Sequence, residues 1–139
     1  MRVAYLVGRL DRALRRRLGQ ITASYGLTLP EYTALAVLNA RGKLSNAELA
    51  RRAFVTPQAM NELVQGMQRR RLVSRSPDPL HGRLVQIQVT SAGRALLRKC
   101  DAAVRRLEET MLERLSAEER VRLQEALRSC IHALDAPIP

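Results

Sequence analysis

The chain is poor in the side chains that staple, ligate or catalyse. Its two cysteines, Cys100 and Cys130, form no Cys-x-x-Cys and no Cys/His cluster, which argues against a disulfide framework or a zinc site and leaves structural thiols as the expectation. Its two histidines, His81 and His132, accompany no nucleophile or metal-ligand motif, so neither an enzyme nor a cofactor is expected. Tyr5, Tyr25, Tyr32 and Phe54 are the only aromatics and are expected in the core rather than around a ligand. No apolar run reaches the roughly 18 residues of a membrane helix. The N-terminal stretch carries Arg9, Asp11, Arg12 and Arg15 to Arg17 where a secretory signal needs an apolar centre, so a cytoplasmic location without a membrane partner is expected.

Acids are the remaining shortage. Lys and Arg number 24 against 13 Asp and Glu, a formal charge of +11, and the excess is uneven. Residues 1 to 30 carry six Arg against one acid and residues 31 to 90 nine bases against four acids, while residues 91 to 139 carry nine against eight. The C-terminal part therefore reads as helices laced by ion pairs, and the rest favours a polyanionic partner, most naturally nucleic acid. At 139 residues, 46% of them hydrophobic, the chain can build one core, or share one in a dimer.

The pattern that is present begins at Leu44. Ser45-Asn46-Ala47-Glu48 has the form of a capping box, the Ser hydroxyl accepting the third helical N–H while the Glu reaches back, so a helix starts near Asn46 with Ala47, Leu49, Ala50 and Ala53 as its apolar face. Thr56 and Pro57 then supply an N-cap and a first helical residue that needs no N–H. In this second helix Met60, Leu63, Val64 and Met67 form the inward stripe, and Gln58, Asn61, Glu62, Gln65 and Arg69 face outward. Asn and Gln can pair with the major-groove edge of adenine, and a helix fits that groove; an amphipathic helix with an ordinary solvated face has the same outline. Beyond it Arg69, Arg70, Arg71 and Arg75 bracket Leu72-Val73. A turn at Pro77 to Gly82 and a strand alternating Val85, Ile87 and Val89 with Gln86 and Gln88 follow, leaving Arg83 at a hairpin tip.

This order of elements resembles the MarR family of bacterial transcription regulators over nearly the whole chain. Leu44 to Ala50 is similar to the first helix of that family's motif, and Val55 to Val64 to its recognition helix. The family's wing pattern, Asp-x-Arg with Leu-Thr after five more residues, is matched by His81-Gly82-Arg83 and Val89-Thr90. His81 stands in place of the Asp that orients the wing Arg, and Arg71 stands where a helix-ending Gly is usual, which asks either a non-Gly residue to adopt a left-handed conformation or the turn to be reshaped. A neutral His81 is a weaker acceptor for Arg83, and a protonated one suits a phosphate instead.

The implied fold is mainly α, a winged helix-turn-helix with a two-stranded β wing and N- and C-terminal dimerisation helices. Residues 1–27 and 91–139 would dimerise and residues 28–90 would bind DNA, all within a single domain 1–139. Periodicity supports helices at both ends: Val3, Leu6, Val7, Leu10, Leu14, Leu18 and Ile21 form a stripe before Gly26. Thr28 with Glu31 caps a helix to about Arg41, and Ser91 opens a long helix through Leu97, Cys100, Val104, Leu107, Met111 and Leu115. Ser116 with Glu119 caps the last, with Leu123, Leu127, Cys130 or Ile131, and Leu134 along it. Periodicity alone leaves open whether these stripes pack within one chain or between two; the resemblance implies a homodimer, with Leu10, Leu107 and Leu127 expected to matter to assembly.

The function expected is that of a sequence-specific repressor of a palindromic operator in double-stranded DNA, released by a small-molecule effector. The effector rests on the resemblance alone. Thr56, Pro57, Gln58, Asn61 and Gln65 would face base edges, Ser45, Arg69 and Arg75 would hold phosphates, and His81 and Arg83 would reach the backbone and minor groove from the wing. The alternatives are a nonspecific nucleoid-like or RNA-binding protein, which shares the charge but needs no ordered reading face, and a thiol-based redox sensor.

Overall fold

A computed structural model of the protein describes residues 1–134. Helix α1 (Val3–Ser24) leads into α2 (Leu29–Arg41). A short strand β1 (Leu44–Ser45) precedes α3 (Asn46–Arg52) and α4 (Pro57–Arg69). The hairpin β2 (Val73–Pro77) and β3 (Val85–Val89) follows, and α5 (Ser91–Leu112) and α6 (Ala117–Ala133) complete the chain. The fold is the expected winged helix-turn-helix between terminal helices, with one addition. The wing hairpin is joined by β1, giving an antiparallel sheet of order β1-β3-β2 in which Leu44 faces Ile87 and Val73 faces Val89.

Local capping sets most of the helix starts. At α2 both halves of the box are made, the Thr28 hydroxyl accepting from Glu31 N–H at 3.2 Å and the Glu31 carboxylate from Thr28 N–H at 2.9 Å; α6 repeats this with Ser116 and Glu119. At α3 the structure draws the Ser45 half, with Glu48 N–H donating at 3.2 Å, while Ser45 itself lies in β1. Thr56 caps α4 through Ala59 N–H at 3.1 Å, and Pro57 opens the helix. The N-cap of α5 is Thr90, one residue before the expected start.

Three helices end in the same way. At each, the residue after the cap has positive φ, and the next residue returns its N–H to a carbonyl five positions back. Leu27 bonds Thr22, Val55 bonds Ala50 and Leu72 bonds Met67, at 3.0, 3.1 and 2.9 Å. The left-handed residue is Gly26 at φ 71° after α1, but Phe54 at φ 60° after α3 and Arg71 at φ 61° after α4. Of the two outcomes open at Arg71 the turn keeps its shape and the non-glycine residue takes the left-handed conformation, and α3 carries a second instance at Phe54.

The core is built by the segment 28–90 expected to bind DNA, the reading unit, together with Leu27 before it and Leu97 of α5. Leu35 and Leu38 of α2, Leu49 of α3, Met60, Val64 and Met67 of α4, Ile87 of β3 and Leu97 of α5 are fully buried, each contributing about 1.5–3 kcal/mol by leaving water. Gly93 seats α5 on this core: a Cβ there would overlap the Leu72 carbonyl oxygen and come within 2.9 Å of a Val89 methyl. Thr90 completes the junction, donating its hydroxyl to the Arg71 carbonyl at 2.6 Å and its N–H to Leu72 at 3.0 Å.

Several apolar residues depart from the expected burial. Ala47 on α3 is exposed, and so are Tyr5 and Phe54, Phe54 by 63%, because the left-handed turn carries it outside the α3 face that packs. On α1, Val3, Leu6, Val7 and Leu10 are exposed, and α6 buries no residue at all. Leu107, in contrast, is already buried within the chain. Among the described residues no helix is long and apolar enough to cross a membrane.

Candidate nucleic-acid interface

Helix α4 presents its polar face outward because Met60, Val64 and Met67 fix the opposite one in the core. Thr56, Pro57, Gln58, Asn61 and Gln65 are all exposed, as the sequence suggested. Gln68 joins them: steps of three, four and three residues align Gln58, Asn61, Gln65 and Gln68 in one row of amides. At 1.5 Å per residue the row is about 15 Å long, enough to span roughly four stacked base pairs. Gln68 is legible from that same spacing, although in sequence it abuts the arginine run 69–71.

The row is held from three sides. The Asn46 amide Nδ2 donates to the Pro57 carbonyl at 2.9 Å, pinning the first turn of α4 to the start of α3. At the other end Arg70 donates to the Gly26 carbonyl at 2.8 Å and pairs with Glu31 at 3.4 Å, tying the end of α4 to the α1–α2 corner. From the wing, Arg75 Nη2 donates to Asn61 Oδ1 at 2.9 Å. None of these contacts is local in sequence, and no residue pattern announces them.

The residues expected to grip the backbone fall into separate places. Ser45, partly buried, has its oxygen engaged as the α3 cap; Arg69 is exposed at the end of α4; Arg75 is half-buried and bound to Asn61. His81 and Arg83 lie at the exposed tip of the wing, where His81 C=O accepts from Leu84 N–H at 2.8 Å. The wing's own acid does not orient the arginine. Asp78 spends one carboxylate oxygen on Leu80 N–H at 2.8 Å and the other on the Gln86 side-chain amide at 3.3 Å, so it shapes the loop and Arg83 extends beyond it.

The thiols differ in setting. Cys100 is buried in α5, and burial, with Asp101 beside it, pushes its thiol up and disfavours the reactive thiolate; Cys130 is exposed on α6. Next to Cys100, the Tyr32 hydroxyl donates to Asp101 Oδ1 at 2.6 Å, and burial followed by that bond raises the phenol above its ordinary range.

Residues 25–84, the segment holding this interface up to the wing, match the model of the MarR family. The HTH-type transcriptional repressor Rv2887 of Mycobacterium tuberculosis is 38% identical over 117 residues, covering 84% of this chain and 84% of that protein. The chain belongs to the MarR family. This MarR-family chain is accordingly a helix-turn-helix transcription regulator and not an enzyme. Rv2887 has been solved in complex with DNA, and that structure superposes with a TM-score of 0.77 at 34% identity, covering 94% of this chain and 98% of its own. A structure of Rv2887 with p-aminosalicylic acid also gives 0.77, at 33% identity and the same coverage. The apo form of MarR from E. coli shares the fold at a TM-score of 0.82 and 20% identity, over 94% of this chain and 97% of that one. The helix-ending Arg71 and the wing-tip His81, the two departures from the family pattern noted in the sequence, both lie on the exposed surface of the reading unit.

Proposed function

We propose that this chain is a cytoplasmic, homodimeric repressor whose α4 helices read two halves of an inverted repeat and which leaves the DNA when a small aromatic acid binds. The observation that carries the reading is the exposed amide row on α4, capped at its N-terminus and held by Asn46, Arg70 and Arg75. A generally sticky basic protein needs no such fixed polar face. Thr56, Pro57, Gln58, Asn61, Gln65 and Gln68 would meet base edges, Ser45 and Arg69 phosphates, and His81 and Arg83 the backbone and minor groove beside the wing.

The dimer is supported by the described parts of the terminal segments, 1–27 and 91–134, which leave apolar surface uncovered in one chain. Leu10 is 42% exposed and Leu127 41%, with Val3, Leu6, Val7, Met111 and Val121 also open to solvent. A two-fold dimer also places two recognition helices about one DNA turn apart, roughly 34 Å. The effector class comes from Rv2887, whose solved complexes include p-aminosalicylic acid and salicylic acid. Cys100, buried and with its thiol pushed up, speaks against redox sensing at that position.

Selection of bound genomic fragments tests the reading. Recovered sites should share an inverted repeat, and a palindromic duplex should outcompete random duplex by roughly a thousandfold or more. Equal affinity for both would overturn sequence-specific regulation. Salicylate added to the complex should release it, and binding unaffected at saturating salicylate would overturn the effector class.

A further inference from the structure

The contact between wing and reading helix constrains one side chain in a specific way. Arg75 reaches from β2 and places Nη2 2.9 Å from Oδ1 of Asn61, a residue otherwise exposed in the middle of the amide row. A guanidinium has five donors and no acceptor, so only the oxygen end of the amide can face it. Turning the amide over would set an NH2 group against a cation, donor against donor. Without that partner an Asn amide rotates through a broad, roughly two-fold torsion and offers either end.

We propose that Arg75 is a specificity-determining residue. By holding Oδ1 it fixes the Asn61 amide in one of its two orientations and so sets which base edge that position reads. The inference rests on the DNA-reading function proposed above. A base edge has polarity: adenine presents N7 to accept and N6 to donate, guanine two acceptors, cytosine a donor. An amide held in one orientation matches one polarity. A free amide turns to suit several and discriminates less. Gln58, Gln65 and Gln68, on the same row, have no comparable clamp among the described residues, which makes position 61 the one rigid reader of the four. Arg75 therefore acts through Asn61 as a positioning residue, whereas a phosphate contact would grip all sequences alike.

The test uses the full-length protein, the selected operator, and operators carrying every base substitution at each half-site position. Arg75→Met should reduce the preference for the best base over the next by about tenfold at one position per half-site, leaving the other positions unchanged. Its affinity for random duplex and the slope of affinity against salt should stay at the parent values. Arg75→Lys, still a pure donor, should restore much of the preference. Arg75→Gln, which can itself turn over, should loosen it as Met does, and it keeps the test valid if the Met variant folds poorly. In an Asn61→Ala background Arg75→Met should change base preference no further. A uniform loss on all sequences, with a salt slope lower by about one unit, would make Arg75 a phosphate clamp and overturn the proposal. An unchanged preference in both Met and Gln variants would also overturn it. A parent protein that prefers no sequence at all would instead overturn the DNA-reading function on which the proposal rests.

Discussion

The reading unit and the terminal helices treat their apolar residues in opposite ways. From Leu27 to Leu97 the chain buries nearly every large aliphatic side chain that its periodicity turns inward, and it does so with its own residues. Along the first half of α1 and along α6, where Leu123 and Ile131 are only partly covered and Val121 and Leu127 are exposed, the apolar pattern is left largely open. Periodicity reports which face is apolar and is silent about what covers it. The reading unit should therefore be stable in itself, while the terminal helices should depend on assembly.

The sharpest way to break the comparison is at the joint between the regions. Gly93→Ala forces a methyl against the Leu72 carbonyl and Val89, where backbone has no room to yield; a loss of about 3 kcal/mol or more is expected in denaturant unfolding. Next comes the assembly face. Leu10→Glu places a charge on an apolar stripe and should weaken the dimer by about 2 kcal/mol or more, seen as monomer in sedimentation, with the helical content of the reading unit retained. A dimer of unchanged strength would show that α1 is not the interface.

A smaller effect is expected where α2 meets α5. Tyr32→Phe removes the donor to Asp101, and because the site is only half-buried the cost should be about 1 kcal/mol at neutral pH. The sign of its pH dependence follows from the raised phenol. The folded state holds the proton more tightly than the unfolded state, so this contribution is complete below the ordinary tyrosine range near 10 and fades as pH rises above it. Alkaline titration of stability should show a steeper loss in the parent than in Tyr32→Phe.

The smallest effect is a gain. Arg71→Gly relieves a left-handed backbone costing about 1–2 kcal/mol but adds glycine's freedom to the unfolded chain, for a net stabilisation of about 0.5–1 kcal/mol. Phe54→Gly should behave alike, and thermal unfolding of both variants checks it. Gly26, already glycine at φ 71°, supplies the reference, since Gly26→Ala should destabilise.

What the sequence made legible was local. Capping boxes at Thr28 and Ser116, the Thr56-Pro57 start and the inward stripe of α4 all act within a few residues, and the structure has each of them. β1 escaped because two residues have no period; it exists only through its pairing with Gln86 and Ile87 on a strand 40 residues away. Arg70 and Arg75 read as members of a basic run, yet their partners are Gly26, Glu31 and Asn61, chosen by the fold. Phe54 departs from its expected burial for another reason: an aromatic usually belongs inside, but one at a left-handed helix end points where the turn sends it.

The central claim is that α4 reads base sequence. The direct measurement is the affinity of Gln58→Ala and Asn61→Ala for the selected operator and for random duplex of equal length at one fixed salt concentration. Each variant should lose about 1–3 kcal/mol on the operator and little on random DNA, whereas Arg69→Ala should weaken both alike. Equal losses on the two DNAs for Gln58→Ala and Asn61→Ala would contradict a reading role for this helix.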